Sequence, residues 1–106
     1  MNPNDTLLVF ITCPDSAADR LARALVEQRL AACVNALPGV RSTYRWQGQV
    51  EQGDEVLLLA KTRSERYEAL QAEVRKLHPY ELPEVIAVPV SQGLPAYLQW
   101  IGDSVR

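Results

Sequence analysis

Histidine, phenylalanine and methionine each occur once in this chain of 106 residues, and cysteine twice. One histidine and two cysteines cannot complete a structural zinc site, which takes four such ligands. No glycine-rich phosphate loop, GxSxG elbow, HExxH pair or CxxC motif occurs. A Cys–His nucleophile pair is conceivable only as Cys13 with His78, and no third group to orient it is evident. No catalytic activity is expected. Neither sign of charge dominates: 11 Lys+Arg against 13 Asp+Glu leave a formal net charge of −2, which argues against nucleic acid as a partner. The longest apolar run near the start, Leu7 to Ile11, falls far short of the roughly 20 residues a membrane span needs. Met1 to Thr6 contains no Lys or Arg, so a signal-peptide n-region is missing. The expected setting is the cytoplasm, away from membranes, with thiols reduced.

What is present reads as one globular domain over residues 1–106, with 47% hydrophobic and 23% charged residues. Thr6 to Cys13 is a short, continuously apolar strand ended by Pro14. Ser16-Ala17-Ala18-Asp19 matches a capping box, and Ala18, Leu21, Ala22, Leu25 and Val26 then form one helical stripe. A second strand starts near Cys33, breaks at Pro38-Gly39 and resumes from Val40 to Trp46. Gln47-Gly48 suggests a two-residue hairpin turn, which sets Arg41 opposite Asp54 and Tyr44 opposite Glu51. The third strand runs on to Thr62. Ser64 is the expected cap of a second helix through Tyr67, Leu70, Val74 and Leu77, which His78-Pro79 ends. Glu84 to Ser91 is a fourth strand, and its Pro89 indicates an edge or a bulge. Leu94-Pro95 opens a last helix carrying Tyr97, Leu98, Ile101 and Val105.

Strand, helix, strand, strand, helix, strand and a terminal helix is the α+β, ferredoxin-like split βαβ pattern, with an antiparallel sheet ordered 4-1-3-2. Helices on one sheet face would leave the other wet, yet Leu8 and Phe10 are as apolar as Leu7, Val9 and Ile11. The open face therefore needs a cover, most economically another subunit. The Tyr44/Trp46 face of the hairpin is the expected subunit interface. The topology puts Cys13, the hairpin tip and His78 at one end of the sheet, and Cys33, Lys61 and Ser91 at the other. Cys13 and Cys33 are then about 20 Å or more apart, too far for a disulfide.

His78-Pro79-Tyr80-Glu81-Leu82-Pro83-Glu84 is the most distinctive segment. It gathers the single histidine, two carboxylates and a phenol between two prolines. Such a set offers a metal an imidazole and a carboxylate, with Cys13 as a soft third donor, or it lines a polar pocket, or it is a rigid connector. Lys61 ends a buried strand and wants a carboxylate or an anionic ligand, with Glu55 and Glu84 as candidate partners.

Thr12-Cys13-Pro14-Asp15, Leu30-Ala31-Ala32-Cys33-Val34-Asn35, Pro38-Gly39-Val40, Tyr44-Arg45-Trp46-Gln47-Gly48, Lys61-Thr62 and the 78–84 segment follow one another in an order that resembles the divalent-cation tolerance protein CutA family over roughly residues 6 to 104. The resemblance implies a ferredoxin-like subunit in a homotrimer similar to PII signalling proteins. It also implies a role in tolerance of copper and other divalent cations, with no metal required for folding. Copper binding in some members uses a cysteine within the first strand and paired histidines before Pro-Tyr. Here those positions carry Ile11 and Leu77-His78, so the metal candidates are His78, Cys13 and Glu81, Cys13 being non-equivalent. The competing expectation is a PII-like sensor that holds a small anion in clefts between subunits, with Lys61, Arg63, Tyr80 and Glu84 as the lining residues. An RNA-binding module lacks its aromatic-basic strand motif here, and an acylphosphatase would need an arginine-bearing anion loop where Thr12-Cys13-Pro14-Asp15 stands.

Overall fold

A computed structural model describes residues 5–106. Of the Met1 to Thr6 segment read above for a leader, residues 1–4 lie outside it. Strand β1 is Thr6–Cys13, helix α1 Asp15–Glu27, β2 Cys33–Trp46, β3 Gln49–Arg63, α2 Tyr67–Leu77, β4 Val85–Pro89 and α3 Pro95–Ser104; a 3-10 turn at Ser64–Arg66 leads into α2. The strands form one sheet in the order β2-β3-β1-β4, antiparallel throughout. This is the expected ferredoxin-like arrangement, and its two central strands are the most apolar ones.

The core follows from strand alternation. Leu7, Val9, Ile11 and Cys13 of β1 and Val56, Leu58 and Ala60 of β3 are buried against Leu21 and Leu25 of α1 and Leu70 and Val74 of α2. Each fully buried leucine there contributes about 1.5–3 kcal/mol relative to exposure. Arg20 ties the two helices at the end of α2, donating to the Leu77 carbonyl at 3.1 Å.

Both expected helix caps differ. The N-cap of α1 is Pro14, the helix begins at Asp15, and no side-chain cap bond forms. The strand runs directly into the helix, so the chain turns one residue before Ser16 is reached, and the Asp15 carboxylate faces the positive end of the helix. Ser64 opens a 3-10 turn instead of capping α2, and its buried hydroxyl has no hydrogen-bond partner. The end of α2 is as expected: His78 leaves the helix with ψ 136, ahead of Pro79.

The hairpin has the expected register, with Trp46 opposite Gln49, Tyr44 opposite Glu51 and Arg41 opposite Asp54. Gln47 and Gly48 both have positive φ, 51° and 80°, as a type I′ turn requires. Pro38-Gly39 does not break β2. The register shifts between Leu37 and Val40, so two residues stand opposite Val56 in a bulge, and Gly39 takes φ 79° to make it. The fourth strand is shorter than expected and lies at the sheet edge, where Pro89 costs no ladder bond.

The sheet face away from α1 and α2 is apolar in rows. Val88 pairs beside Leu8, and Ile86 beside Phe10, which in turn faces Leu59. The expectation that another subunit covers this whole face needs correcting at one end. Helix α3 packs there with Ile101 and Val105 buried, and a Cβ on Gly102 would run into the Arg63 guanidinium.

No atom lies within 4 Å of a Cβ built on Gly39, so Gly39→Ala should meet only backbone strain. Thermal melts should show a loss of about 1–2 kcal/mol, or roughly 4–8 °C per kcal/mol for a domain of this size. Gly53→Ala, equally open but without positive φ, should leave the melting temperature unchanged or slightly raised.

Candidate functional site

His78 organises one end of the sheet. Proline at 79 forces it out of the helix, and its ring turns inward to 7% exposure. The Tyr80 backbone N–H donates to Nδ1 at 3.1 Å. Nδ1 therefore carries no hydrogen, and Nε2–H donates to the Thr12 carbonyl at 2.8 Å. The ring thus joins the last turn of α2 to the end of β1 and pins the start of the 79–84 loop. It also packs at 4.7 Å against the Tyr80 ring.

A metal needs a free imidazole lone pair, and neither nitrogen of His78 offers one. Cys13 is buried on the helix side of the sheet. Among the described residues, no group of three or more His, Cys, Asp or Glu side chains stands close enough to hold a metal ion. The residues do not fit the copper site expected from Cys13, His78 and Glu81: one is a core thiol, one is a fully bonded imidazole, and one borders a cleft.

That cleft is the concave feature of this end. It has a volume of about 640 Å³ and lies between the end of β1, the hairpin and the 80–84 loop, with Tyr44, Trp46, Glu55, Tyr80, Glu81 and Glu84 in its wall. Thr12 donates to Glu84 at 3.4 Å. Burial, then the neighbouring Glu55 carboxylate and the hydrogen bond to it, push the Tyr80 phenol up from its usual value, with Tyr44 adding to the effect. Tyr44 and Trp46, expected at a subunit interface, line this cleft.

Within one subunit, the four residues expected to line an anion cleft between subunits do not stand together. Tyr80 and Glu84 border the cleft, whereas Lys61 and Arg63 lie toward the other end of β3, six and eight residues beyond Glu55. Lys61 pairs with neither Glu55 nor Glu84. It donates to Asn35 at 2.7 Å and lies 5.6 Å from the centre of the Tyr97 ring. Arg63 is held beneath Gly102 of α3. Glu55, expected only as a partner for Lys61, and Thr12 belong to the cleft wall. Strand alternation places Glu55 on the face of Leu57 and Leu59, and that signal was available in the sequence.

Helices on one face of a β2-β3-β1-β4 sheet, with a hairpin reaching past it, define a fold of the ferredoxin-like, PII-like class. The PII-like protein CutA from Nostoc sp. PCC 7120 superposes with a TM-score of 0.89 at 34% identity, covering 94% of this chain and 97% of that one. CutA from Xylella fastidiosa superposes at 0.94 with 51% identity over 96% of this chain and 99% of its own. The CutA1 divalent ion tolerance protein family matches residues 7–104, and the chain belongs to that family. The divalent-cation tolerance protein CutA of Thermus thermophilus is 47% identical over 92% of this chain and 95% of its own length. The CutA homologue of Xenopus laevis is 53% identical over 91% of this chain, which spans 64% of that longer protein; the chain spans 56% of mouse CutA.

Two outcomes follow from the geometry. His78→Ala leaves the Thr12 carbonyl and the Tyr80 N–H without their partners and should cost about 2–4 kcal/mol. In competition against a Cu(I) chelator it should match the wild type, and a clear loss of affinity would restore His78 as a ligand.

Cys13 gives the other. Burial first, then the Glu55 and Asp15 carboxylates, push its thiol up. A folded-state pKa above the unfolded one favours the fold while the thiol is protonated, and this contribution is lost as the pH rises through the folded value. Iodoacetamide at pH 8 should therefore label the partly exposed Cys33 well before Cys13, with equal rates ruling this out.

Proposed function

We propose that this protein works as a homotrimeric, non-catalytic divalent-cation tolerance protein of the cytoplasm, folded as a single domain and PII-like in assembly. The observation that carries the trimer is the apolar sheet face. Leu8, Phe10, Leu57 and Leu59 are half-buried in the single subunit, while Ile86 is 56% and Val88 44% exposed. A face of this kind on a small domain is the signature of an interface, and a closed ring of three copies would bury it without leaving an edge. Two free cysteines suit a reducing compartment. The tolerance role comes from the family, and the relatives that carry the name support it. Copper bound through Cys13, His78 and Glu81 is not part of this reading, because the imidazole has no lone pair to give.

A second reading stands on the 640 Å³ cleft: a small ligand held at the rim of each subunit, as a sensor in the PII manner would need. The cleft adjoins the apolar face at Thr12, so its occupancy and the packing of neighbouring subunits share one border.

Light scattering should give about three times the chain mass at micromolar concentration, and a monomer would overturn the trimer. Ile86→Glu places a charge on an exposed edge position that the isolated subunit tolerates. It should dissociate the assembly, at a cost of about 2–4 kcal/mol per contact, and leave the circular dichroism spectrum unchanged.

A further inference from the structure

Both edges of the sheet are open in the single subunit. Strands β2 and β4 are the outer members of the order β2-β3-β1-β4, and each pairs with one neighbour only. An open edge is a template for strand pairing, and the apolar face between the two edges also needs a cover. A ring of three copies covers the face and both edges at once if the apolar faces point inward, the strands run along the three-fold axis and β2 of one copy lies beside β4 of the next. Such a ring brings like ends of the subunits level with each other. The cleft shows what stands at that level: its wall joins residues 42–46 of the hairpin to the 80–84 loop. In the ring the hairpin of one copy therefore meets the 80–84 loop of the next.

Assembly then sets this end a problem of charge. Glu55, Glu81 and Glu84 border the cleft, and among the described residues none of them forms an ion pair. Taking carboxylates out of water without a counter-charge is costly. Lys61 and Arg63 are held at the far end of the sheet, and among the described residues no acidic cluster stands ready for a metal ion. The counter-charge has to come from the facing copy. Between Val40 and Trp46 the β2 edge carries two cations, Arg41 and Arg45. Arg41 lies 3.9 Å from Asp54. Arg45 is exposed and has no carboxylate within ion-pair distance. Strand alternation turns it away from Tyr44 and Trp46, to the side of Val50 and, further along β3, of Val56. That is the side α1 and α2 cover, and the 79–84 loop comes off α2 there. We infer that in the trimer Arg45 of the partner subunit closes the acidic mouth of the cleft, pairing with Glu81 and, beside it, Glu84. A guanidinium fork can serve two carboxylates at once. The acceptors are held in advance: His78 fixes the start of the loop through the Tyr80 backbone, and Thr12 donates to Glu84. Each cleft is incomplete without the next copy. This inference rests on the trimer reading and adds to it the contact that sets which edges meet.

The test is charge reversal in the full chain followed by subunit mixing, read by native mass spectrometry on dilution. Arg45→Glu and Glu81→Arg should each leave the circular dichroism spectrum unchanged and raise the concentration at which the trimer dissociates about tenfold or more. Mixed in equal amounts, the two variants should form mixed trimers in preference to either parent. In a mixed ring the reversed charges meet across one interface and the original charges across another, so a single like-charged contact remains where each parent has three. An ion pair inside one subunit gives no such preference. Glu84→Arg replaces Glu81→Arg in the mixing if the latter does not fold. Arg23→Glu, on the exposed face of α1, should dissociate as the wild type does. Unchanged dissociation of both reversals, or no preference on mixing, overturns the pairing and leaves the trimer reading standing; a monomeric wild type overturns both.

Discussion

The two hydrogen bonds of the His78 ring are the constraint on which this end of the molecule depends. One accepts from the Tyr80 backbone and the other donates to the Thr12 carbonyl, so a single side chain spans the end of α2, the following loop and the last residues of β1. The ring is buried, and a buried polar group without partners costs about 1–3 kcal/mol. The loop and the strand end are therefore held in register with each other. Tyr80 takes its place from that bond, the Glu55 carboxylate is near enough to push its phenol up, and Glu84 accepts from Thr12. The cleft is shaped by an architectural histidine.

The outer face of the sheet divides into three regions along its strands. At one end Lys61 and Arg63 lie against α3; in the middle are the paired rows Leu8–Val88 and Phe10–Ile86; at the other end come Thr12, Glu55 and Glu84. Lys61 and Glu55 are six residues apart on one strand, about 20 Å at the rise of an extended chain. That exceeds the Debye length of about 8–10 Å at ordinary salt. The basic and acidic ends do not neutralise one another, and each presents its own charge to whatever approaches it. The apolar band between them is where desolvation is least costly, which is why assembly is assigned to it.

The sequence made some of this legible and concealed the rest, and the division follows the range of the interactions. Gln47-Gly48 announced a two-residue turn, and the opposite charges of Arg41 and Asp54 fixed its register, because both act between near neighbours. Proline after His78 ended α2, and proline at 89 marked an edge, for equally local reasons. The caps were misread at Ser16 and Ser64 because a strand entering a helix directly leaves no residue free to swing its hydroxyl back. Lys61 found Asn35 and Tyr97 in place of a glutamate, and Arg63 went under Gly102. Those partners come from β2 and α3, and only the packed chain brings them together. Pro38-Gly39 looked like a break, since a bulge and a strand end use the same residues.

His78 is the instructive case. A lone histidine between a helix and a proline reads equally well as a ligand or as a connector, and the sequence could not separate the two. Burial and two occupied nitrogens do. The position before it carries the same message, because Leu77 packs against the hydrophobic core where a second histidine would bring another donor. A leucine there adds apolar contact at the end of α2, and it removes the paired imidazoles that a soft metal would recognise. The chain's single histidine and the residue beside it are both committed to holding the fold. In the single subunit, the part of this end that stays open to solvent is the aromatic and acidic wall of the cleft.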